Sequence, residues 1–153
     1  KMGEDSDIRE HEKHNADLMS CQVCHSTTYI NCVNCHVEQT EDGQPFYTVE
    51  SNYLGFFIGL NPEQTEERPY KYVPVRHVPI DPSSFSYYGV ELTNFTDRPT
   101  WTYATPHNIQ LITPQAERCS NCHDNEDLFL SSDNMLNSLE AEANAGIIVE
   151  ELP

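Results

Sequence analysis

The pentapeptide CQVCH at residues 21–25 decides the fold of this chain, and its pattern recurs as CVNCH at 32–36 and CSNCH at 119–123. Two thiols three residues apart on one turn can bond the two vinyl groups of a porphyrin, and the next residue then places an imidazole on the iron. All six cysteines belong to these motifs. We therefore expect three covalent haem c groups, held by Cys21, Cys24, Cys32, Cys35, Cys119 and Cys122.

Two other uses of the cysteines are a structural zinc site and a set of three disulfides. Neither gives a reason for a histidine directly after the second cysteine of every pair, whereas haem attachment does. We expect His25, His36 and His123 to be the proximal iron ligands. If all six cysteines hold porphyrins, no thiol is left for nucleophilic catalysis or redox sensing.

The remaining histidines supply the second ligand of each iron. Seven histidines are present, and His11, His14, His77 and His107 lie outside the motifs. Three six-coordinate haems need three more ligands, so the count favours bis-histidine coordination. We expect His77 and His107 as distal ligands because apolar, proline-braced sequence surrounds each. One of His11 and His14 is expected to be the third, and the other is spare or serves another subunit.

The composition leaves little material for an apolar protein core. Only 37% of the residues are hydrophobic and the mean hydropathy is -0.61, whereas porphyrin faces are large and apolar. We expect a mostly irregular fold with short α-helices and a few short strands, arranged as a multihaem cytochrome c around a haem-centred core. The apo-chain should then be largely unfolded.

The chain reads as a single trihaem domain over residues 1–153. Residues 1–36 carry the paired motifs, residues 37–118 form a proline- and aromatic-rich region of loops and strands, and residues 119–153 carry the third motif and a C-terminal helix. His25 and His36 are eleven residues apart, a link that spans at most about 40 Å. The first two haems are therefore expected to be direct neighbours.

Two helices are expected from the spacing of apolar residues. The first covers residues 5–20 and carries His11 and His14. The second covers about residues 133–145, with Ser132 as its N-cap. Its buried stripe is expected to consist of Met135, Leu136, Leu139 and Ala143.

The charge of the chain limits its partners. Twenty-five acidic against eight basic residues give a net charge of -17, which excludes nucleic acid and favours a basic redox protein. No apolar run reaches the 18 or so residues of a membrane span. The start Lys1-Met2-Gly3 is expected to follow a removed leader or to be the edge of a fragment.

With these three motifs the chain resembles the bacterial multihaem c-type cytochromes. The segment Thr105-Pro106-His107-Asn108 before the final motif is part of this resemblance. The paired early motifs, the distant third and the Asp-Leu-Phe-Leu helix at 127–130 look more specifically like the haem-binding part of octahaem proteins of the tetrathionate reductase type. The resemblance implies an exported, periplasmic or extracellular protein, because bacteria attach this haem outside the cytoplasm. It also implies other multihaem cytochromes as partners, since some members of the family polymerise into filaments.

These observations favour a soluble trihaem electron carrier over an enzyme, because an iron bound by two histidines has no open position for a substrate. Two alternatives remain. One is a subunit or fragment of a multihaem oxidoreductase in which one haem keeps a vacant site and reduces a nitrogen or sulfur oxyanion. The other is a subunit of an extracellular cytochrome filament.

Overall fold

A computed structural model describes residues 2–15, 17–54, 56–78, 89–91 and 98–153, and for residues 29–39 and 45–54 it describes the backbone alone. The helices are short, as the sequence predicts. They are α1 (Arg9–Lys13), α2 (Cys21–His25), α3 (Ser120–His123) and α4 (Ser138–Ala143). Helices of this length are not stable alone, so tertiary contacts must hold them. Among the described residues no helix is long and apolar enough to cross a membrane.

Helix α1 is shorter than the helix expected over residues 5–20. It ends at Lys13, and the next residue, His14, has an extended backbone. Asn15 then starts a turn, because its side-chain oxygen accepts a hydrogen bond from the Leu18 amide at 2.7 Å. Asparagine competes with helical hydrogen bonding in this way, and that competition explains the early end.

The strands form two antiparallel sheets. The first is a hairpin of β1 (Tyr29–Gln39) and β2 (Pro45–Leu54), whose register shifts between Cys32 and Cys35. At 11 and 10 residues these strands are longer than expected. The second sheet has the order β3-β4-β5, with strands β3 (Phe57–Leu60), β4 (Tyr72–His77) and β5 (Trp101–Tyr103).

The apolar core lies between the three-stranded sheet, helix α2 and the C-terminal segment. One cluster joins α2 to the sheet and consists of Met19, Val23, Ile58, Tyr72, Phe129 and Val149. A second lies across β4 and β5 and consists of Val73, Val75, Trp101, Leu130 and Ile147. Backbone bridges from Met19 to Tyr72 and from Ile58 to Phe129 fasten the flanking segments to the sheet. The first motif is therefore attached to a packed protein core.

The C-terminal helix differs from its prediction. Ser132 begins a 3₁₀ turn (Ser132–Asn134), and the α-helix starts only after Asn137, whose side chain accepts a hydrogen bond from the Glu140 amide. This later start rotates the buried face. Leu136 and Leu139 are 80% and 53% exposed, while Glu140 and Asn144 are buried. The prediction that Leu136 and Leu139 belong to a buried stripe is wrong.

Candidate metal centres at the first and third motifs

Helix α1 and the residue directly after it bring one histidine to each of the two helical motifs. The rings of His11 and His25 lie with their centroids 5.9 Å apart and their planes at 79°. The rings of His14 and His123 lie 6.1 Å apart with their planes at 28°. Both members of the uncertain pair His11 and His14 therefore meet a motif histidine, although the sequence indicated only one of them.

The hydrogen bonds of these rings show which nitrogen is free. Three of the four rings place Nδ1 next to a backbone oxygen. The contacts are His25 to Gln110 (3.0 Å), His123 to Pro153 (3.2 Å) and His14 to Glu10 (2.6 Å). Because a backbone oxygen only accepts, each Nδ1 must carry the proton, and Nε2 of the neutral ring keeps its lone pair. Metal-binding histidines have this arrangement in general.

The fourth ring, that of His11, lacks such a bond. Its Nδ1 is buried and has no hydrogen-bond partner among the described residues. A buried polar nitrogen without a partner is costly. The His11 ring makes an edge contact with the ring of His25 in the first motif.

The ring spacings test whether the residues fit a metal. A metal binds an imidazole nitrogen at about 2 Å, so two rings on opposite sides of one metal have centroids about 6 Å apart. In a tetrahedral zinc site two such rings would have centroids about 5 Å apart. The observed centroid distances of 5.9 and 6.1 Å are closer to the first value, so the spacing of each pair matches that of two imidazoles on one six-coordinate iron.

The cysteines of the first and third motifs are free thiols in this structure. Cys21 and Cys119 are exposed, whereas Cys24 and Cys122 are half-buried. Burial, followed by the neighbouring Cys122 and Cys21, raises the pKa of Cys24 to about 11, and burial also raises the pKa of Cys122. These positions therefore favour a neutral sulfur, which both a thiol and a thioether provide.

The two alternatives to haem, a structural zinc and a set of disulfides, both involve the second motif. The four described cysteine side chains form no disulfide with one another. No group of three or more His, Cys, Asp or Glu side chains converges among the described residues. The side chains of Cys32 and Cys35 lie outside that part of the chain.

The second motif has a different backbone. Residues 32–36 lie within β1, next to the register shift between Cys32 and Cys35. An extended strand separates residues i and i+3 by about 10 Å, compared with about 5 Å in a helix. The side chains of Cys32, Cys35 and His36 are outside the described residues, so their roles stay predictions. The expected contact between the first and second haems also stays a prediction.

His77 lies at the end of β4 and is bound to a carboxylate. Its Nε2 is 2.9 Å from Oε1 of Glu140, and its ring packs on Trp101 with centroids 5.0 Å apart. The Leu136 amide and the Thr100 hydroxyl donate to the same carboxylate. We call this cluster of His77, Glu140, Thr100 and Leu136 the carboxylate latch. To bind an iron through Nε2, His77 would have to leave it.

The environment of Glu140 keeps it ionised. Burial acts to raise its pKa, but the hydrogen bonds from Thr100, the Leu136 amide and His77 outweigh burial, so the pKa is lowered from 4.5. Glu140 is only 2% exposed. A buried carboxylate with this many donors joins α4 to the sheet.

His107 lies in the loop after β5, exposed and next to the buried Pro106. This loop is fastened to the segment after the first motif, since Asn108 donates to the Thr28 carbonyl at 3.0 Å. Gln110 makes two backbone hydrogen bonds with His25. The backbone N–H of Gln110 donates to the His25 carbonyl, and the backbone carbonyl of Gln110 accepts from the His25 ring. The distal-ligand role of His107 stays a prediction.

No sequence pattern predicts that the Gln110 carbonyl accepts from His25. The contact of the Glu10 carbonyl with His14 could have been predicted. This carbonyl is four residues before His14, the usual spacing of hydrogen bonds along a helix. Exposed apolar side chains flank Gln110, namely Ile109, Leu111 and Ile112, with exposures of 56%, 85% and 67%. They provide uncovered apolar surface beside the first motif.

Comparisons with known proteins identify no relative. No family model matches the chain, and neither the curated proteins nor the solved structures include a detectably similar one.

Proposed function

We propose that this chain is a trihaem c-type cytochrome that carries electrons through bis-histidine haems. The observation that supports the proposal most is the two ring contacts, because His11 in α1 and His14 directly after it each lie beside a motif histidine. The centroid distances are those expected for two imidazoles on one iron. Haem c, when bound, supplies an iron that cycles between its ferric and ferrous states. The motif cysteines of α2 and α3 would hold the porphyrins by thioether bonds.

Four histidines would hold the two irons. His25 and His123 would be the motif ligands, and His11 and His14 would be the second ligands. The hydrogen bonds from Nδ1 of His25, His123 and His14 to backbone oxygens orient these rings. With two histidines on each iron no position would be left for a substrate, which favours electron carriage over catalysis.

The third haem is proposed on the sequence alone. Cys32 and Cys35 would hold it, and His36 would be its proximal ligand. His77 and His107 are the remaining histidines for its distal side. The contact of His77 with Glu140 favours His107 for that role.

The proposal assigns the apolar side chains beside the first motif to contact with haem and the acidic surface to contact with a redox partner. Leu111 and Ile112 are mostly exposed beside the first motif, and a macrocycle there would cover apolar surface at about 25 cal/mol per Å². The net charge of -17 would steer a basic redox partner toward the protein at low ionic strength. We propose a periplasmic or extracellular location, where this haem is attached.

Mass spectrometry of protein produced in a bacterium with c-type haem maturation tests the proposal. We expect three covalent haems, an optical spectrum of low-spin iron, and no spectral change with carbon monoxide. Protein that carries no haem would refute the proposal. Carbon monoxide binding to one haem would instead support the oxidoreductase alternative.

A further inference from the structure

We infer that the haems of the first and third motifs form an adjacent pair that shares α1, with distal ligand His11 at the first iron and His14 at the third. The two irons should also have different ligand geometries. This inference rests on the proposed function. It adds a second neighbour for the first haem, since the sequence led us to expect only the second haem beside it.

Adjacency follows from the position of the two distal rings. His11 lies in α1, and His14 is the residue directly after the end of this helix, so about one helical turn separates their Cα atoms. Each ring then reaches a different motif, His25 of α2 in one case and His123 of α3 in the other. With side chains of this length, the two irons would lie less than about 20 Å apart.

A further contact supports a shared interface around α1. The Arg9 guanidinium, at the start of α1, lies 3.8 Å from Sγ of Cys119 in the third motif. The first and third motifs therefore face each other around one short helix, although most of the chain separates them in sequence.

The ring planes distinguish the two sites. At the first motif the planes are crossed at 79°, whereas at the third they are nearly parallel at 28°. Crossed axial imidazoles leave two d orbitals of ferric iron close in energy and give a strongly anisotropic low-spin signal. Parallel imidazoles separate these orbitals and give an ordinary rhombic signal. The axial ligands are one of the main means by which a protein tunes haem iron.

Low-temperature electron paramagnetic resonance of the oxidised holoprotein tests the assignment. We expect His11→Ala to remove the strongly anisotropic signal and His14→Ala to remove one rhombic signal, each with the appearance of one high-spin iron. Added imidazole should restore the low-spin state in both variants. Lys13→Ala, at an exposed position between the two histidines, is the matched control and should leave both signals unchanged.

A second measurement tests adjacency. In Cys119→Ala/Cys122→Ala/His123→Ala protein, which lacks the third haem, the signal of the first iron should saturate at lower microwave power because a nearby paramagnet is gone. Unchanged saturation would overturn adjacency. If His11→Ala protein loses a haem during production, His11→Met keeps a ligand at the position and should convert the same signal to a His/Met type.

The outcomes separate this inference from the proposed function. Protein with no covalent haem refutes the function. Protein with three haems whose low-spin signals survive both His11→Ala and His14→Ala refutes the inference alone. Loss of the same signal in both variants also refutes it, since the two residues would then act at one iron.

Discussion

The two ring pairs around α1 and the carboxylate latch use the same side chain in opposite ways. At the ring pairs, Nδ1 of His25 and of His14 is bound to a backbone oxygen, and Nε2 remains free. In the latch, Nε2 of His77 is bound to a buried carboxylate. The comparison teaches that the same side chain can present Nε2, as at the ring pairs, or use Nε2 in a hydrogen bond that joins two parts of the fold, as in the carboxylate latch.

The two regions also differ in what covers their apolar surface. The sheet and the segment after α4 bury Val73, Val75 and Leu130 almost completely. Beside the first motif, Leu111 and Ile112 remain exposed. The sheet half is thus closed as a protein core, and the half around the first motif is the one that leaves apolar side chains uncovered. Five changes test this division.

Removing one attachment site should have the largest effect. If the proposed function is right, Cys119→Ala/Cys122→Ala protein should carry one haem fewer and be less stable around α1 and α3, because His14 and His123 would have no iron to bind. Intact-protein mass and proteolysis after Lys13 would measure both effects. Ser120→Ala, at an exposed position in the same motif, should keep the full haem content. Equal haem content in both variants would contradict the assignment.

Glu140→Ala should lower the free energy of unfolding by about 3 kcal/mol, because it leaves the Leu136 amide, Thr100 and His77 without an acceptor. Urea denaturation measures the loss. Glu142→Ala, exposed on the same helix, should stay within about 0.5 kcal/mol of the wild type. The low-spin spectrum should be unchanged in both, and a similar loss in both would show that the latch contributes little.

Gly59→Ala should cost about 2 kcal/mol through overpacking of the sheet. A Cβ at residue 59 would lie 2.8 Å from Cγ2 of Val75 and 3.0 Å from Cγ2 of Ile147. Gly146→Ala is the control, since its Cβ would meet only Pro62 at an ordinary 3.5 Å. Comparable denaturation midpoints for the two variants would show that β3 can move away from β4.

His77→Ala should cost about 1–2 kcal/mol, since it removes one hydrogen bond to a buried carboxylate. We expect every haem to stay low-spin in this variant, as judged by electron paramagnetic resonance. Conversion of one haem to the high-spin form would instead establish His77 as a distal ligand, as its sequence context indicates. The division between the two regions would then be wrong.

Acid should have the smallest effect of the five changes, and this effect is a weakening of the carboxylate latch. The pKa of Glu140 is lowered in the folded protein, so its ionisation stabilises the fold above the unfolded-state pKa. That contribution is lost as the pH falls through the folded-state pKa, well below neutrality. The stability difference between wild type and Glu140→Ala should therefore shrink between pH 6 and acid, as measured by urea denaturation. A difference independent of pH would contradict this account.

The sequence predicted the coarse fold and the candidate ligands, because both depend on local patterns. Short helices around the first and third motifs follow from residue type and spacing, and the count of histidines limited the distal ligands to four. It could not show that His11 and His14 both meet motif histidines, because that depends on how α1 packs between segments distant in sequence.

The C-terminal helix shows a second limit of the sequence. Its apolar residues suggested a buried leucine stripe, yet Glu140 and Asn144 are buried instead. The Asn144 side chain accepts from the amides of Thr100 and Trp101, so a polar face is stabilised by partners that only the folded sheet provides. Hydrophobic periodicity carries no information about such partners.

The ties of His25 and His14 to main-chain oxygens have one more consequence. A peptide oxygen has no proton to gain or lose in the range where proteins stay folded, whereas the Glu140 carboxylate does. In acid these two contacts therefore keep their acceptors, while the carboxylate latch loses the charge on its own acceptor.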